Sequence, residues 1–170
     1  MLSKNNAVLL AGGESSRYGR NKALTSFAGK KLIEYIYENL NSYFKKVIII
    51  GSRESYNFID GAEIREDLFK DKGPLAGLYT GLYYSDTDYN FVSGCDMPFL
   101  NQSYFSFLED FIEKKENNLV YQLIVPEYRS YLEPLAAFYH RNLLDEIKRN
   151  IEEDNLRIKG YYRREIKIKI

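Results

Sequence analysis

The chain has 170 residues, 45% hydrophobic and 28% charged, which is ordinary usage for one globular domain long enough to bury a substantial core. Its 24 Lys and Arg balance 24 Asp and Glu, so no global positive field favours nucleic acid or an anionic membrane, and any phosphate binding must be local. A single cysteine, Cys95, excludes an intramolecular disulfide framework; no apolar run approaches a membrane span and nothing at the amino terminus reads as a signal peptide, so the expected compartment is the cytoplasm.

Ala7-Val8-Leu9-Leu10 is apolar without polar alternation, which predicts a strand buried on both faces, as in a parallel sheet, where ligands gather beyond the carboxyl ends. At that end follows Ala11-Gly12-Gly13-Glu14-Ser15-Ser16-Arg17-Tyr18-Gly19-Arg20-Asn21-Lys22. Gly12 and Gly13 let a ligand approach the backbone, and Arg17, Arg20 and Lys22 place three cations within six residues, a density suited to triphosphate oxygens. Read locally, the stretch serves equally as a solvated turn. Spacing excludes the dinucleotide fingerprint, because the first two glycines are adjacent. It also excludes the P-loop, because five residues separate Gly13 from Gly19 and Ala23 follows Lys22.

After a turn at Gly29, Leu32, Ile33, Tyr35, Ile36 and Leu40 recur at helical spacing, and Val47–Ile50 is a strand ending at Gly51, completing a βαβ unit. A helix starting at Pro74 carries Leu75, Leu78 and Leu82, and the strand Tyr89–Ser93 delivers Gly94-Cys95-Asp96 to its carboxyl end. Phe105, Leu108, Phe111 and Ile112 mark another helix; Leu119–Val125 and Leu135–Tyr139 read as strands. Leu143, Leu144, Ile147 and Ile151 form a helical stripe, and Glu165–Ile170 alternates as an edge strand does. The alternation predicts a single three-layer, Rossmann-like α/β domain over residues 1–170 with a mostly parallel central sheet. The active site is expected along the carboxyl ends of the strands that start at Ala7 and Tyr89.

Asp96 is a carboxylate at a strand end facing the loop of an adjacent strand, a place from which Mg²⁺ can be held against a triphosphate. From spacing alone it is equally a turn or cap residue. Cys95 and Met97 read as packing residues, since a nucleophilic Cys95 needs a base and the only histidine, His140, is not predictably close. Asp67 taken alone is a solvated charge, and Gly73, Pro74 and Gly77 are a closely packed helix start.

Leu10-Ala11-Gly12-Gly13, Ser15-Ser16-Arg17-Tyr18-Gly19 and Lys22 resemble the signature of the nucleotidyltransferases that activate sugars and cofactors. Glu66-Asp67, Gly73-Pro74-Leu75-Ala76-Gly77-Leu78 and Ser93-Gly94-Cys95-Asp96-Met97-Pro98-Phe99 extend the likeness in order and approximate spacing. Within that superfamily the chain is similar to the molybdenum cofactor guanylyltransferases, the molybdopterin-guanine dinucleotide biosynthesis protein A family. The resemblance implies a nucleotide-diphospho-sugar transferase-like fold, and transfer of GMP from GTP to the phosphate of molybdopterin with release of pyrophosphate. It implies Mg²⁺ as cofactor with Asp96 as metal ligand, and Arg17, Lys22 and Asp96 as catalytic residues. Nucleotide contacts fall on Leu10, Ala11, Gly12, Gly13, Lys22, Asp67, Gly73, Pro74, Gly77 and Asp96. GTP and molybdopterin are the implied substrates, with transient contact to molybdoenzyme maturation proteins.

Two other readings stand beside it: cytidylyl or other nucleotidyl transfer to a related phosphate, and a non-catalytic nucleotide-binding adaptor. Leu10–Gly13 together with Gly73–Gly77 looks more like the guanylyl branch. The chain departs from the family pattern at Tyr18, usually Met, at Asn21, often Asp, and at Ile50-Gly51, where some members carry Asn; the Asn-x-Asn-Thr-Pro segment that family members usually carry near their end is not in this sequence. Arg157, Lys159, Arg163 and Arg164 form the densest basic cluster outside the first loop, read as solvated surface, with steering of the anionic pterin as the alternative.

Overall fold

The computed structural model describes residues 3–12, 21–113, 120–158 and 165–169. Strand β1 (Asn6–Leu10) is buried along its whole length, as its unbroken apolar run requires. A small hairpin, β2 (Ser26–Phe27) with β3 (Lys30–Lys31), stands apart from the main sheet and leads into α1 (Leu32–Asn41). Then come β4 (Val47–Ile50), the short α2 (Arg53–Tyr56), β5 (Glu63–Arg65), α3 (Gly73–Tyr84) and β6 (Tyr89–Gly94). The chain continues through α4 (Gln102–Glu113), β7 (Leu123–Tyr128), β8 (Tyr131–Leu132), β9 (Ala136–His140), α5 (Leu144–Glu152) and β10 (Glu165–Lys169).

The main sheet runs β10-β7-β9-β6-β1-β4-β5, with β8 paired to β7. Along that path β9 alone runs against its neighbours. Strand pleating divides the core in two. Ala7, Leu9, Ile49, Phe91 and Phe138 face one layer with Ile33, Ile36 and Leu40 of α1 and Phe105 and Leu108 of α4. Val8, Leu10, Ile50, Val92 and Tyr139 face the other with Leu75, Leu78 and Leu82 of α3 and Ile147 and Ile151 of α5. This is the expected three-layer α/β/α arrangement.

Helix α3 packs its glycines directly against β1. A Cβ on Gly81 would overlap the Val8 isopropyl group, with Cγ2 at 2.7 Å, and one on Gly77 would lie 3.0 Å from Leu10 Cδ2. Among the described residues no helix is long and apolar enough to cross a membrane.

One expected boundary shifts. Strand β7 begins at Leu123, where its ladder with β9 starts opposite Tyr139, rather than at Leu119, which lies outside the described residues. The Tyr121 carbonyl accepts the Tyr89 hydroxyl at 2.8 Å, a side-chain bond in place of a ladder bond. The strand also runs on to Tyr128, where Arg129 and Ser130 adopt positive φ to turn into β8.

Candidate active site

The parallel register sets Leu10 opposite Ile50 on one side and Gly94 on the other, so Ala11-Gly12, Gly51 and Cys95-Asp96 leave the sheet side by side. Here the strand order reverses, with β4 and β5 on one flank of β1 and β6 on the other, the position at which open α/β sheets take ligands. Backbone bonds hold the three exits in place: Ala11 N–H donates to the Ile50 carbonyl at 2.8 Å and Cys95 N–H to the Leu10 carbonyl at 3.2 Å.

Beyond them opens a cavity of about 550 Å³ whose walls include Leu10, Gly12, Asp67, Gly73, Pro74 and Gly77. The resemblance implies nucleotide contact at all six. Asp67 follows β5, and its Oδ1 is buried with no hydrogen-bond partner among the described residues. Burial pushes its carboxyl above the ordinary value. The two glycines are the space for this carboxylate: a Cβ on Gly12 would sit 3.2 Å from Asp67 Oδ2, and one on Gly77 3.5 Å from Oδ1. The N terminus of α3 borders the cavity, with Gly73 at φ +64 and Pro74 in the first turn, where helix N–H groups have no partners within the helix.

A smaller cavity of about 230 Å³ adjoins the first through Leu10, Gly12 and Pro74, and brings in Lys22, Cys95 and Asp96. Lys22 opens a 3-10 turn, Lys22–Leu24, capped by Asn21, whose side-chain oxygen accepts the Ala23 N–H at 3.1 Å. Asp96 is exposed, folded back so that Oδ1 lies 2.9 Å from where a Gly94 Cβ would be. Among the described residues neither Lys22 nor Asp96 forms an ion pair, so a cation and an anion share one small cavity without neutralising each other.

No group of three or more His, Cys, Asp or Glu side chains gathers for a metal among the described residues. A lone exposed carboxylate does not make a resident zinc or calcium cage. It does suit Mg²⁺, which takes one or two carboxylates and draws its other ligands from phosphates and water.

Sequence reading missed the residue that ties this site together. Tyr56, the buried last residue of α2, donates its hydroxyl to the Ala11 carbonyl at 2.7 Å and accepts from Asn21 Nδ2 at 3.1 Å. One hydroxyl thus bridges the residues on either side of the segment 12–20. Gly51 makes room for the ring: a Cβ there would fall 2.7 Å from Tyr56 Cε2. Burial raises the Tyr56 pKa, so the group stays a protonated donor at neutral pH. Two departures from the family pattern, Asn21 and Gly51, both serve this tyrosine. The only local signal was a glycine at a strand end five residues before a tyrosine.

Gly13 and Arg17 lie outside the described residues, as do Lys159, Arg163 and Arg164; Arg157 is exposed. A Cys–His pair is excluded by topology. His140 pairs with Tyr89 at the start of β6, whereas Cys95 follows its end. Burial further raises the Cys95 thiol, with Asp96 adding to the effect.

The model of the MobA-like NTP transferase domain family matches residues 7–165. The chain belongs to that family. It is 32% identical over 167 residues to a Clostridium perfringens protein named a probable molybdenum cofactor guanylyltransferase, covering 97% of this chain and 81% of that one. The molybdenum cofactor guanylyltransferase of Desulfosudis oleivorans is 32% identical over 156 residues, 91% of this chain and 75% of its own. Among solved structures, an Aquifex aeolicus protein superposes with a TM-score of 0.79 at 29% identity over 98% of this chain and 87% of its own. The molybdopterin-guanine dinucleotide biosynthesis protein A of Archaeoglobus fulgidus shares the fold with a TM-score of 0.78 at 24% identity, over 97% and 82%. The strand end at Leu10 and the loop at Asp96, both within the matched residues, are neighbours in space.

Proposed function

We propose that the protein transfers GMP from GTP to the terminal phosphate of molybdopterin and releases pyrophosphate. The observation that carries this reading is Lys22 and Asp96 in one cavity, with no ion pair among the described residues, adjoining at Gly12 a larger cavity that holds a buried carboxylate oxygen of Asp67 with no partner there. Relatives named for this activity, about one third identical over nearly the whole chain, support the choice of substrates.

In the transfer, an oxygen of the acceptor phosphate attacks the α-phosphorus of GTP and the bond to the α,β-bridging oxygen breaks. Pyrophosphate leaves with that electron pair, and no proton need pass to a protein base. Lys22 lies against the triphosphate and offsets charge growing on the leaving oxygens. Asp96 would hold Mg²⁺, which when bound neutralises phosphate oxygens as a Lewis acid. Arg17 would add a forked cation to the same triphosphate.

Asp67 reads the base. Its orphaned oxygen needs donors, and guanine presents N1–H and the 2-amino group side by side, whereas the cytosine and adenine edges each combine a donor with an acceptor. Gly12 and Gly77 keep that carboxylate reachable.

GTP with Mg²⁺ should raise the thermal midpoint more than CTP, ATP or UTP at equal concentration, because only ligand bound to the folded form stabilises it. Equal shifts with CTP and GTP would sink the guanine assignment.

A further inference from the structure

Asp96, a wall of the smaller cavity, also lines an open hollow of about 480 Å³ with Phe27, Leu32, Met97, Pro98, Phe99 and Leu100. Apart from that carboxylate its walls are apolar. Phe99 is 82% exposed, the most exposed of the large hydrophobic side chains in the described residues. Among the described residues its one aromatic neighbour is Phe27, with ring centroids 6.0 Å apart and the rings at 75° to each other.

The hollow is built rather than incidental. Phe27 is carried to its rim by the β2–β3 hairpin, which takes no part in the main sheet. The turn between those strands holds Ala28 at φ +49, a left-handed conformation that is unfavourable for a residue other than glycine. Phe27 is braced from behind by Tyr35 of α1 at 4.9 Å. The opposite wall is pinned by Asn39 of α1, whose side-chain amide donates to the Leu100 carbonyl. A strained turn and a pinned loop thus hold an aromatic face open to water immediately beside Asp96.

We propose that this hollow is the ring subsite for the phosphate acceptor: a planar heteroaromatic ring stacks on Phe99, with Phe27 closing the rim. The ring's phosphate then points past Asp96 toward Lys22. This rests on the transfer reading above and adds the placement of the second substrate. The wall that the two cavities share, Asp96, carries the assignment, because an acceptor must bring its phosphate to the residue that would hold the metal and keep the rest of its body outside the nucleotide cavity. Among the described residues the walls offer no cation to hold a phosphate, so the hollow suits the ring and the Lys22 side suits the charge.

The chain contains no tryptophan, so Phe99→Trp creates a single fluorescent reporter on the proposed face. Molybdopterin should quench that emission saturably, corrected against free tryptophan, and GTP alone should not. In steady state, Phe99→Ala should raise the KM for molybdopterin roughly tenfold, within the range found for loss of one stacking contact. Its KM for GTP and its thermal midpoint should stay at wild-type values, and Phe99→Tyr should recover most of the lost acceptor affinity. An unchanged acceptor KM in Phe99→Ala, or no saturable quench in Phe99→Trp, overturns the subsite while leaving the transfer reading intact. A wild-type protein that transfers nothing to molybdopterin overturns the reading itself and the subsite with it.

Discussion

The Tyr56 hydroxyl donates to the Ala11 carbonyl at 2.7 Å, and through Asn21 it also fixes the residue before Lys22. The loop that follows β1 is therefore closed at its base by a side chain from α2, and Lys22 is held at a set distance from the strand end.

Tyr56→Phe removes that hydroxyl while keeping the ring. The Ala11 carbonyl and the Asn21 amide each lose a partner, a loss of about 1–3 kcal/mol for a buried group left unsatisfied. The thermal midpoint should fall, and GTP affinity should fall with it because Lys22 is no longer anchored. Gly51→Ala, whose Cβ displaces the ring, should do at least as much damage. Thermal unfolding with and without GTP measures both; an unchanged GTP affinity in Tyr56→Phe would make the tether purely structural.

Asp67 has its pKa raised by burial, so the folded state holds the proton more tightly than the unfolded chain. Stability therefore falls as pH climbs from the ordinary carboxylate value through the raised one, and the loss is complete above it. Asp67→Asn removes that cost. It should raise the thermal midpoint at neutral pH, flatten its decline across the acidic window, and weaken GTP binding by roughly tenfold or more, as expected for a charged hydrogen bond. A variant neither more stable at pH 7 nor weaker for GTP would contradict the placement of this carboxylate.

Gly81→Ala sets helix propensity against packing. Alanine gains about 1 kcal/mol in a helix, but the methyl group would drive into Val8, which is fully buried in the central strand. Overpacking of this kind costs about 1–3 kcal/mol or more, so the clash wins and the midpoint should drop by several degrees. A stabilised variant would show that α3 can move off β1.

The central elements were legible because their chemistry is local. Val47–Ile50 and Ala7–Leu10 are apolar at every position and lie in the middle of the sheet, buried on both faces. Strand β5 was not, because in Glu63-Ile64-Arg65 only Ile64 is buried and the flanking charges pair with each other. At the site, Gly12, Asp67, Lys22 and Asp96 were read from a family signature, and the fold gathers them from four separate segments into adjoining cavities. Tyr56 escaped because its partners are 45 and 35 residues away, and no pattern within a helix of four residues announces them.

Asp96→Asn keeps the shape of the side chain but removes the charge that would hold a magnesium ion. Turnover should nearly vanish with the fold intact. Lys22→Ala should weaken nucleotide binding and slow transfer together, losing about 2–4 kcal/mol of transition-state stabilisation by comparison with other charge-stabilising donors. Single-turnover rates alongside thermal midpoints test both, and wild-type turnover in Asp96→Asn would remove Asp96 from the chemistry.

The most direct measurement is pyrophosphate release by the purified protein given Mg²⁺, molybdopterin and one nucleotide at a time, with the dinucleotide product identified by mass. Release should require molybdopterin, proceed with GTP and yield the guanine dinucleotide, while CTP, ATP and UTP give little. Release that is equal with CTP, or absent with GTP while GTP still stabilises the fold, would contradict guanylyl transfer.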